Sequence, residues 1–308
     1  MPDGTLIHLL NSNFLQLQAN HATCFPDLRR SHTLLLASDY SGESPDAPYI
    51  VYSFLITSTD AWRAWESERL SIRKLFLADS RRMSFKGLGD TQRRQALEPL
   101  LEAANRLEGL SFSVAISKRC GTIFSGRPPL DLGNPAFEAY AKWKIHVLEK
   151  AFTTVHFLSF LLAGLSFIGQ DVFWFTDEDS IAANDQRVCE LTQLFAWISS
   201  QYLTFNLGHC RCGTARCDDG SRQIEDLLAI PDLIAGALSE QLRLRETTEP
   251  SISNVYWMHR PDFTDKSKAI TWWYSQADRP MKRLFCIVDP SFDGKRHTLY
   301  FFHFFDQL

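Results

Sequence analysis

The chain has 308 residues, of which 45% are hydrophobic, 13% aromatic and 22% charged, a balance typical of folded proteins and not of disordered ones. This length predicts one large domain or two modest ones. The net charge of -4 at neutral pH excludes a globally basic nucleic-acid-binding protein, so a basic groove would have to be local. The seven scattered cysteines lack the spacing of a disulfide framework and predict a reducing, cytoplasmic setting.

The N-terminus lacks the basic start and the long apolar core of a signal peptide. The most membrane-like stretch, 157–169, has thirteen residues, whereas roughly 20 are needed to span a bilayer. We therefore predict that this stretch belongs to a buried helix, and we expect no membrane partner.

The first part of the chain alternates predicted strands with predicted helices. Strands are predicted over 34–37 and 49–57, joined by a Gly/Pro/Asp loop short enough for antiparallel neighbours. Asp60 is predicted to cap a helix, and a stripe of leucines predicts another helix over 91–108. A third strand is predicted over 110–118.

A Gly- and Pro-rich loop then leads to a helical block over about 136–168, which resembles an insertion packed on the core. The segment 171–180 predicts a strand that ends in an acidic run. A helix is predicted over 185–202, a strand and hairpin within 203–221, and a further helix over 224–242.

The composition shifts after Pro250 toward short aromatic segments around charged turns, predicted as β or aromatic structure over 255–258, 269–275, 283–289 and 297–305. The order of the predicted elements implies an α/β fold with a mixed sheet flanked by helices. We predict a domain over 1–249 with a helical insertion at about 119–168. A C-terminal β/aromatic extension over 250–308 is predicted to pack on it.

Acidic residues occur at positions where burying an unpaired carboxylate costs free energy. Asp39 ends the first predicted strand, Asp177, Glu178 and Asp179 end a later one, and Asp232 lies in an apolar part of a helix. If the two strands are neighbours, their ends bring two carboxylates together, and a helix packed across them supplies a third. Such carboxylates select a hard cation, Mg²⁺ or Mn²⁺. Two such ions can activate water and stabilise the leaving oxygen of a phosphodiester.

Each acid also has a purely structural interpretation. Asp39 would form a turn ahead of Gly42, and the acidic run would be a solvated loop or a cap of the next helix. Asp232 follows Pro231, a pair that often starts a helix, where the acid would complement the helix dipole. Against this, small residues at 235–237 would permit close packing of the helix onto a sheet.

A rival constellation of His209, Cys210, Cys212 and Cys217 has enough donors for one zinc ion. Its spacing is not a standard finger pattern, and alternating residues on a strand point to opposite faces. The sequence therefore favours a reduced, partly buried hairpin at this segment.

Three segments resemble a family called domain of unknown function 3800, which belongs to the RNase H-like superfamily. "SDYSG" at 38–42 resembles the family's "DESG" opening, and "FKGLGD" at 85–90 resembles its lysine-containing segment. "IPDLIAGAL" at 230–238 resembles its "ADLIAGAL"-type helix most closely. The resemblance spans about 32–244 and implies an RNase H-like mixed β-sheet.

The resemblance also implies roles for the matched residues. Asp39 and Asp232 would be metal ligands, Asp177 or Glu178 would supply the carboxylate of the central strand, and Lys86 would neutralise a phosphate or the attacking oxygen. The implied activity is that of a nuclease that depends on Mg²⁺ or Mn²⁺ and cleaves DNA or RNA, in a bacterial genome-defence or mobile-element setting.

Two positions depart from the family pattern. Tyr40 replaces an acid beside the first Asp, with Glu43 as a nearby substitute, and Ser84 replaces a Glu two residues before the lysine. These departures favour an alternative, a catalytically degenerate RNase H-like subunit that binds a protein or nucleic-acid partner. Its C-terminal aromatic region would suit a partner interface or a homo-oligomer contact.

Overall fold

The structure, a computed structural model, describes residues 6–121, 135–248, 262–276, 279–291 and 297–303. Within these residues a single mixed sheet of seven strands forms the centre of the fold. The strands, β1 to β7 in chain order, are Thr33–Ser41, Tyr49–Ser58, Gly109–Ser117, Asp171–Thr176, Cys210–Gly213, Met281–Pro290 and His297–His303.

The order of the strands in the sheet is β5-β4-β1-β2-β3-β6-β7. Strands β1, β2 and β3 are antiparallel neighbours, whereas β4 pairs in parallel with β1 and β5 in parallel with β4. On the other side, β6 is parallel to β3, and β7 is antiparallel to β6. Two strands from the predicted C-terminal extension therefore extend the same sheet.

Seven helices of the described chain cover the two faces of the sheet. These helices, α1 to α7 in chain order, are Leu6–Asn20, Thr59–Phe76, Thr91–Ala104, Ile145–Leu165, Asp185–Tyr202, Gln223–Thr248 and Asp265–Tyr274. Helices α2, α3, α6 and α7 pack on one face, and α1, α4 and α5 pack on the other. The predicted α/β class, with a mixed sheet flanked by helices, is confirmed.

The central strands are buried on both faces because helices cover both sides of the sheet. Every residue of β3 is buried, and β2 is buried at all but one position. The sequence of β2 is accordingly a nearly continuous apolar run, whereas β3 alternates apolar residues with serines at 111, 113 and 117 that are buried as well. This is why the sequence identified these strands readily.

Helix α4 contains much of the stretch predicted to be a buried helix. It is the only helix among the described residues that is long and apolar enough to cross a membrane, and most of it is buried inside the protein. The prediction is confirmed as far as Leu165, where the helix ends. Phe167 and Ile168 follow it and are exposed.

Several local predictions are wrong. Ser58, not Asp60, caps α2, because its hydroxyl accepts a hydrogen bond from the Ala61 N–H at 3.2 Å. The segment 203–221 contributes the single strand β5, which pairs in parallel with β4 and forms no hairpin within the described residues. The N-terminal helix α1 was not predicted at all.

The aromatic segment 269–275 also differs from its prediction. It belongs to α7, which begins after Thr264, whose hydroxyl accepts a hydrogen bond from the Ser267 N–H. The β propensity of its tryptophans is overridden by this cap and by burial of Trp273 and Tyr274. The segment 255–258, predicted to be β or aromatic, lies outside the described residues.

Candidate active site

The first candidate acid, Asp39, lies within β1 and not in the turn that follows. Its backbone is level with Ser53 of β2. Just after β1, Gly42 has a φ of +86°, and an added Cβ there would lie 2.0 Å from the Tyr49 carbonyl oxygen. Because Asp39 lies within the strand, the turn-forming interpretation of Asp39 is wrong.

The register of β1 and β4 places a second acid beside Asp39. The two strands are parallel, and Ser38 is level with Thr176 at the end of their pairing. Asp39 follows Ser38 and Asp177 follows Thr176, and the negative charge of Asp177 acts on Asp39. The condition for bringing these two acids together, that the two strands are neighbours, is met.

The third candidate acid, Asp232, lies in the middle of α6 and not at its start. The interpretation of Pro231-Asp232 as a helix start is therefore wrong. Helix α6 packs across β1 and β2, which brings the carboxyl groups of Asp232 and Asp39 into hydrogen-bonding contact. The Asp232 Oδ2 also accepts a hydrogen bond of 2.6 Å from the backbone N–H of Phe85.

The contact between these two acids changes their ionisation. Burial raises the pKa of Asp39 well above its ordinary value, and the negative charges of Asp232 and Asp177 raise it further. Burial also raises the pKa of Asp232, against the opposing effect of the Phe85 N–H bond. Two adjacent carboxylates are stable together only with a shared proton or a neutralising cation.

The segment from Ser84 to Gly89 brings Lys86 to this pair. Phe85 packs against Gly236 of α6, where an added Cβ would lie 2.3 Å from the Phe85 Cγ. The following turn, Lys86–Gly89, presents an exposed lysine whose positive charge lowers the pKa of Asp232. The Ser84 hydroxyl accepts a hydrogen bond from the Gly87 N–H at 3.2 Å, so it stabilises this turn.

Of the acidic run after β4, one residue lies at the pair and two face away from it. Asp177 acts electrostatically on both Asp39 and Asp232, and its own carboxylate lies 3.7 Å from Arg82 Nη2. Glu178 instead faces Arg216 at 3.7 Å, and Asp179 contacts Lys150.

The structure therefore distinguishes two alternatives that the sequence left open, because Asp177 and not Glu178 lies beside the Asp39–Asp232 pair. Two of the three acids touch, and Lys86 lies alongside. Within the described part of the chain, no set of three or more His, Cys, Asp or Glu side chains is placed to hold a metal ion.

Tyr40, the first departure from the family pattern, lies away from Asp39. Tyr40 points to the face opposite Asp39, where its hydroxyl lies 2.7 Å from Ser38 Oγ and 3.2 Å from Thr176 Oγ1. Glu43, the nearby substitute, contacts Lys150 Nζ at 2.5 Å. An acid at position 40 would therefore not join Asp39, because successive side chains of a strand point to opposite faces.

Three further groups lie at the site. Arg82 lies beside Asp177, the Phe85 N–H donates to Asp232, and Gly236 accommodates the Phe85 ring. The glycine within "AGA" indicated close packing, although the structure shows that this space is filled by Phe85. Nothing in the sequence pattern pointed to the backbone N–H, because every residue except proline carries one.

The rival constellation of cysteines lies on and after β5. Burial raises the pKa of Cys212 well above its ordinary value and that of Cys210 to about 12. Cys217 is exposed. Thiols with raised pKa values stay protonated at neutral pH, whereas metal ligation requires the thiolate.

No protein-family profile matches this chain, and no curated protein matches it either. The function is therefore inferred from the site itself. Its main features are two touching carboxyl groups, a third acid beside them, and the positive side chains of Lys86 and Arg82. Such a site can bind a hard cation through its carboxylates and a phosphate through its cationic side chains.

The raised pKa of Asp39 predicts that stability depends on pH. The unfolded-state value is about 3.9, so between this pH and the higher folded-state pKa the folded protein binds more protons than the unfolded chain. The free energy of unfolding is therefore expected to fall as pH rises from about 4 through the folded-state pKa. Urea denaturation at a series of pH values, with a chelator present, tests this. Asp39→Asn is expected to remove the contribution of Asp39 to the slope of the free energy of unfolding against pH. Identical slopes for both proteins would contradict the prediction.

Proposed function

We propose that the protein is an RNase H-like, metal-dependent nuclease that hydrolyses phosphodiester bonds in DNA or RNA. The observation that carries this proposal is the direct contact between the carboxyl groups of Asp39 and Asp232, which concentrates negative charge at one end of the sheet. The cytoplasmic, bacterial genome-defence or mobile-element setting is part of the proposal and depends on the family resemblance alone.

The resemblance gains support from where its three segments lie. The segments 38–42, 85–90 and 230–238 are far apart in the chain, yet they supply Asp39, Lys86 and Asp232 to one site. The sheet order also supports an RNase H-like core, because the antiparallel strands β1 to β3 are extended beyond β1 by the parallel strands β4 and β5.

The residues present fit a magnesium ion. Mg²⁺ keeps several waters and commonly takes one or two protein carboxylates together with substrate phosphates. Asp39 and Asp232 meet this requirement, and their mutual repulsion is the kind of cost that a cation relieves. A bound divalent cation would polarise a phosphodiester oxygen and lower the pKa of a water.

The chain's own side chains orient the remaining groups. The Phe85 N–H fixes one oxygen of Asp232, so this carboxylate keeps a defined direction toward Asp39. Lys86 is exposed and Arg82 is 48% exposed, so both can contact a phosphate and offset its charge.

The test is cleavage of labelled single- and double-stranded DNA and RNA with Mg²⁺ or Mn²⁺. Asp39→Asn and Asp232→Asn are each expected to reduce cleavage by about 100-fold or more, the scale of losing one transition-state electrostatic contact. The matched control is Asp46→Asn, because Asp46 is 79% exposed in the loop after β1 and lies outside the site. Cleavage that survives both site substitutions would refute the assignment.

A degenerate binding subunit is the second candidate. Two observations favour it. Arg82 forms an ion pair with Asp177, and among the described residues no three metal-ligating side chains are grouped to hold an ion. The aromatic C-terminal region would then supply a protein or homo-oligomer contact, and Trp272 of α7 is 61% exposed. Wild-type protein that binds nucleic acid or a protein partner but cleaves no substrate with either cation would support this candidate.

A further inference from the structure

Lys150 is a buried cation in the middle of the apolar helix α4. Its side chain is only 8% exposed, although a buried charge is costly unless it is paired. Burial alone would lower the pKa of Lys150, but the carboxylates of Asp179 and Glu43 more than offset this effect and raise it. The ammonium group is therefore held in its charged form by two acids.

These two acids follow different strands. Glu43 follows β1, and its Oε1 lies 2.5 Å from Lys150 Nζ. Asp179 follows β4, and its Oδ2 accepts a second hydrogen bond from the same ammonium group. Lys150 therefore links the chain just after β1 to the chain just after β4, the two strands that carry Asp39 and Asp177.

The link is reinforced between the strands themselves. Lys150 Nζ lies 4.3 Å from the centre of the Tyr40 ring, and the Tyr40 hydroxyl lies 3.2 Å from Thr176 Oγ1. Tyr40 directly follows Asp39, and Thr176 directly precedes Asp177. Lys150 thus contacts Tyr40, one residue from Asp39, and Asp179, two residues from Asp177, from the opposite face of the sheet.

We propose that Lys150 is a positioning residue for the candidate active site, where it fixes the separation of Asp39 and Asp177 by holding the ends of β1 and β4 together. This inference rests on the proposed function. It assigns a role in the site to α4, the predicted insertion, although α4 lies on the other face of the sheet. It also explains why Glu43 does not act as a substitute acid beside Asp39.

The first measurement is hydrogen exchange in metal-free protein. The Ile181 N–H donates to Asp179 Oδ1 at 2.9 Å, so its exchange rate reports how firmly the chain after β4 is held. Lys150→Met is expected to raise this rate about tenfold or more, with little change at the centre of β3. The control is Lys144→Met, which removes an exposed positive charge at the start of α4.

The second measurement is the affinity for Mn²⁺ alone, determined by calorimetry. Lys150→Met is expected to weaken Mn²⁺ binding by about 10- to 100-fold, the usual effect of losing a group that orients metal ligands. Lys150→Arg is expected to restore most of the affinity, because a guanidinium can contact both acids. If Lys150→Met does not fold, Glu43→Gln removes one contact from a side chain that is 56% exposed, and should weaken Mn²⁺ binding several-fold.

The outcomes separate this inference from the proposed function. Wild-type protein whose Mn²⁺ binding requires Asp39, but whose affinity is the same in Lys150→Met, overturns the positioning role and leaves the proposed function standing. Wild-type protein with no Asp39-dependent Mn²⁺ binding refutes the proposed function, and the inference falls with it. Weaker Mn²⁺ binding in Lys150→Met, restored in Lys150→Arg and unchanged in Lys144→Met, supports both the positioning role and the proposed function.

Discussion

Asp226→Asn is expected to lower the free energy of unfolding by about 3–5 kcal/mol, the usual cost of removing one partner from a buried ion pair. The Asp226 side chain is 2% exposed and lies between two buried arginines. It accepts a hydrogen bond from Arg69 Nη1 at 2.8 Å, and from Arg73 Nε at 2.6 Å and Nη2 at 2.7 Å. An asparagine keeps the shape but leaves both guanidinium groups without this charge.

This network joins α2 to the first turns of α6, the helix that carries Asp232. Urea denaturation followed by tryptophan fluorescence measures the change, since the chain has 8 tryptophans. The control is Asp219→Asn, because Asp219 is exposed in the loop just before α6. A loss of stability below about 1 kcal/mol in Asp226→Asn would show that Glu66, which also pairs with Arg69, compensates.

Gly236→Ala is expected to destabilise the protein by about 1–3 kcal/mol, the scale of overpacking a core, and to reduce cleavage as well. An added Cβ would lie 2.3 Å from Cγ and 2.6 Å from Cβ of Phe85, so the ring has to move. Movement of Phe85 breaks the 2.6 Å hydrogen bond from its N–H to Asp232. Stability and site geometry are therefore expected to be lost together.

Gly164→Ala is the matched control for this substitution. Gly164 is an exposed residue of α4, and an added Cβ there meets no atom within 4 Å. Alanine is more favourable than glycine within a helix, so this control should keep or gain stability while Gly236→Ala loses it. Urea denaturation and the cleavage assay measure both variants. If the destabilised Gly236→Ala protein cleaves as well as the wild type, the Phe85 contact is not required for activity.

Much of the fold could be predicted because its central strands are rich in apolar residues, as a nearly continuous run in β2 and in alternation with serine in β3. The errors occur where a local signal was weak or misleading. The strand β5 has only four residues, and α7 contains aromatic residues that usually favour strands. In both cases packing against neighbouring elements determined the structure, and propensity did not.

The sequence by itself determined which segments are candidates for the site, because an acid within or beside an apolar run is costly and therefore conspicuous. Asp39 and Asp232 stand out in this way, and Lys86 was identified through the family resemblance. The choice of Asp177 over Glu178 was not available from the sequence, because it depends on Ser38 being level with Thr176 across two strands that are distant in the chain. A shift of register by one residue would have turned the other acid toward Asp39.

Only the tertiary structure decided how these residues are oriented. It placed Tyr40 and Glu43 with Lys150 on the far face, and it placed the Phe85 N–H on Asp232. These contacts join residues separated by more than a hundred positions in the chain, and each requires two elements to pack at a particular height and rotation. A linear pattern shows which face of an element is apolar, but it does not show which neighbour will cover that face.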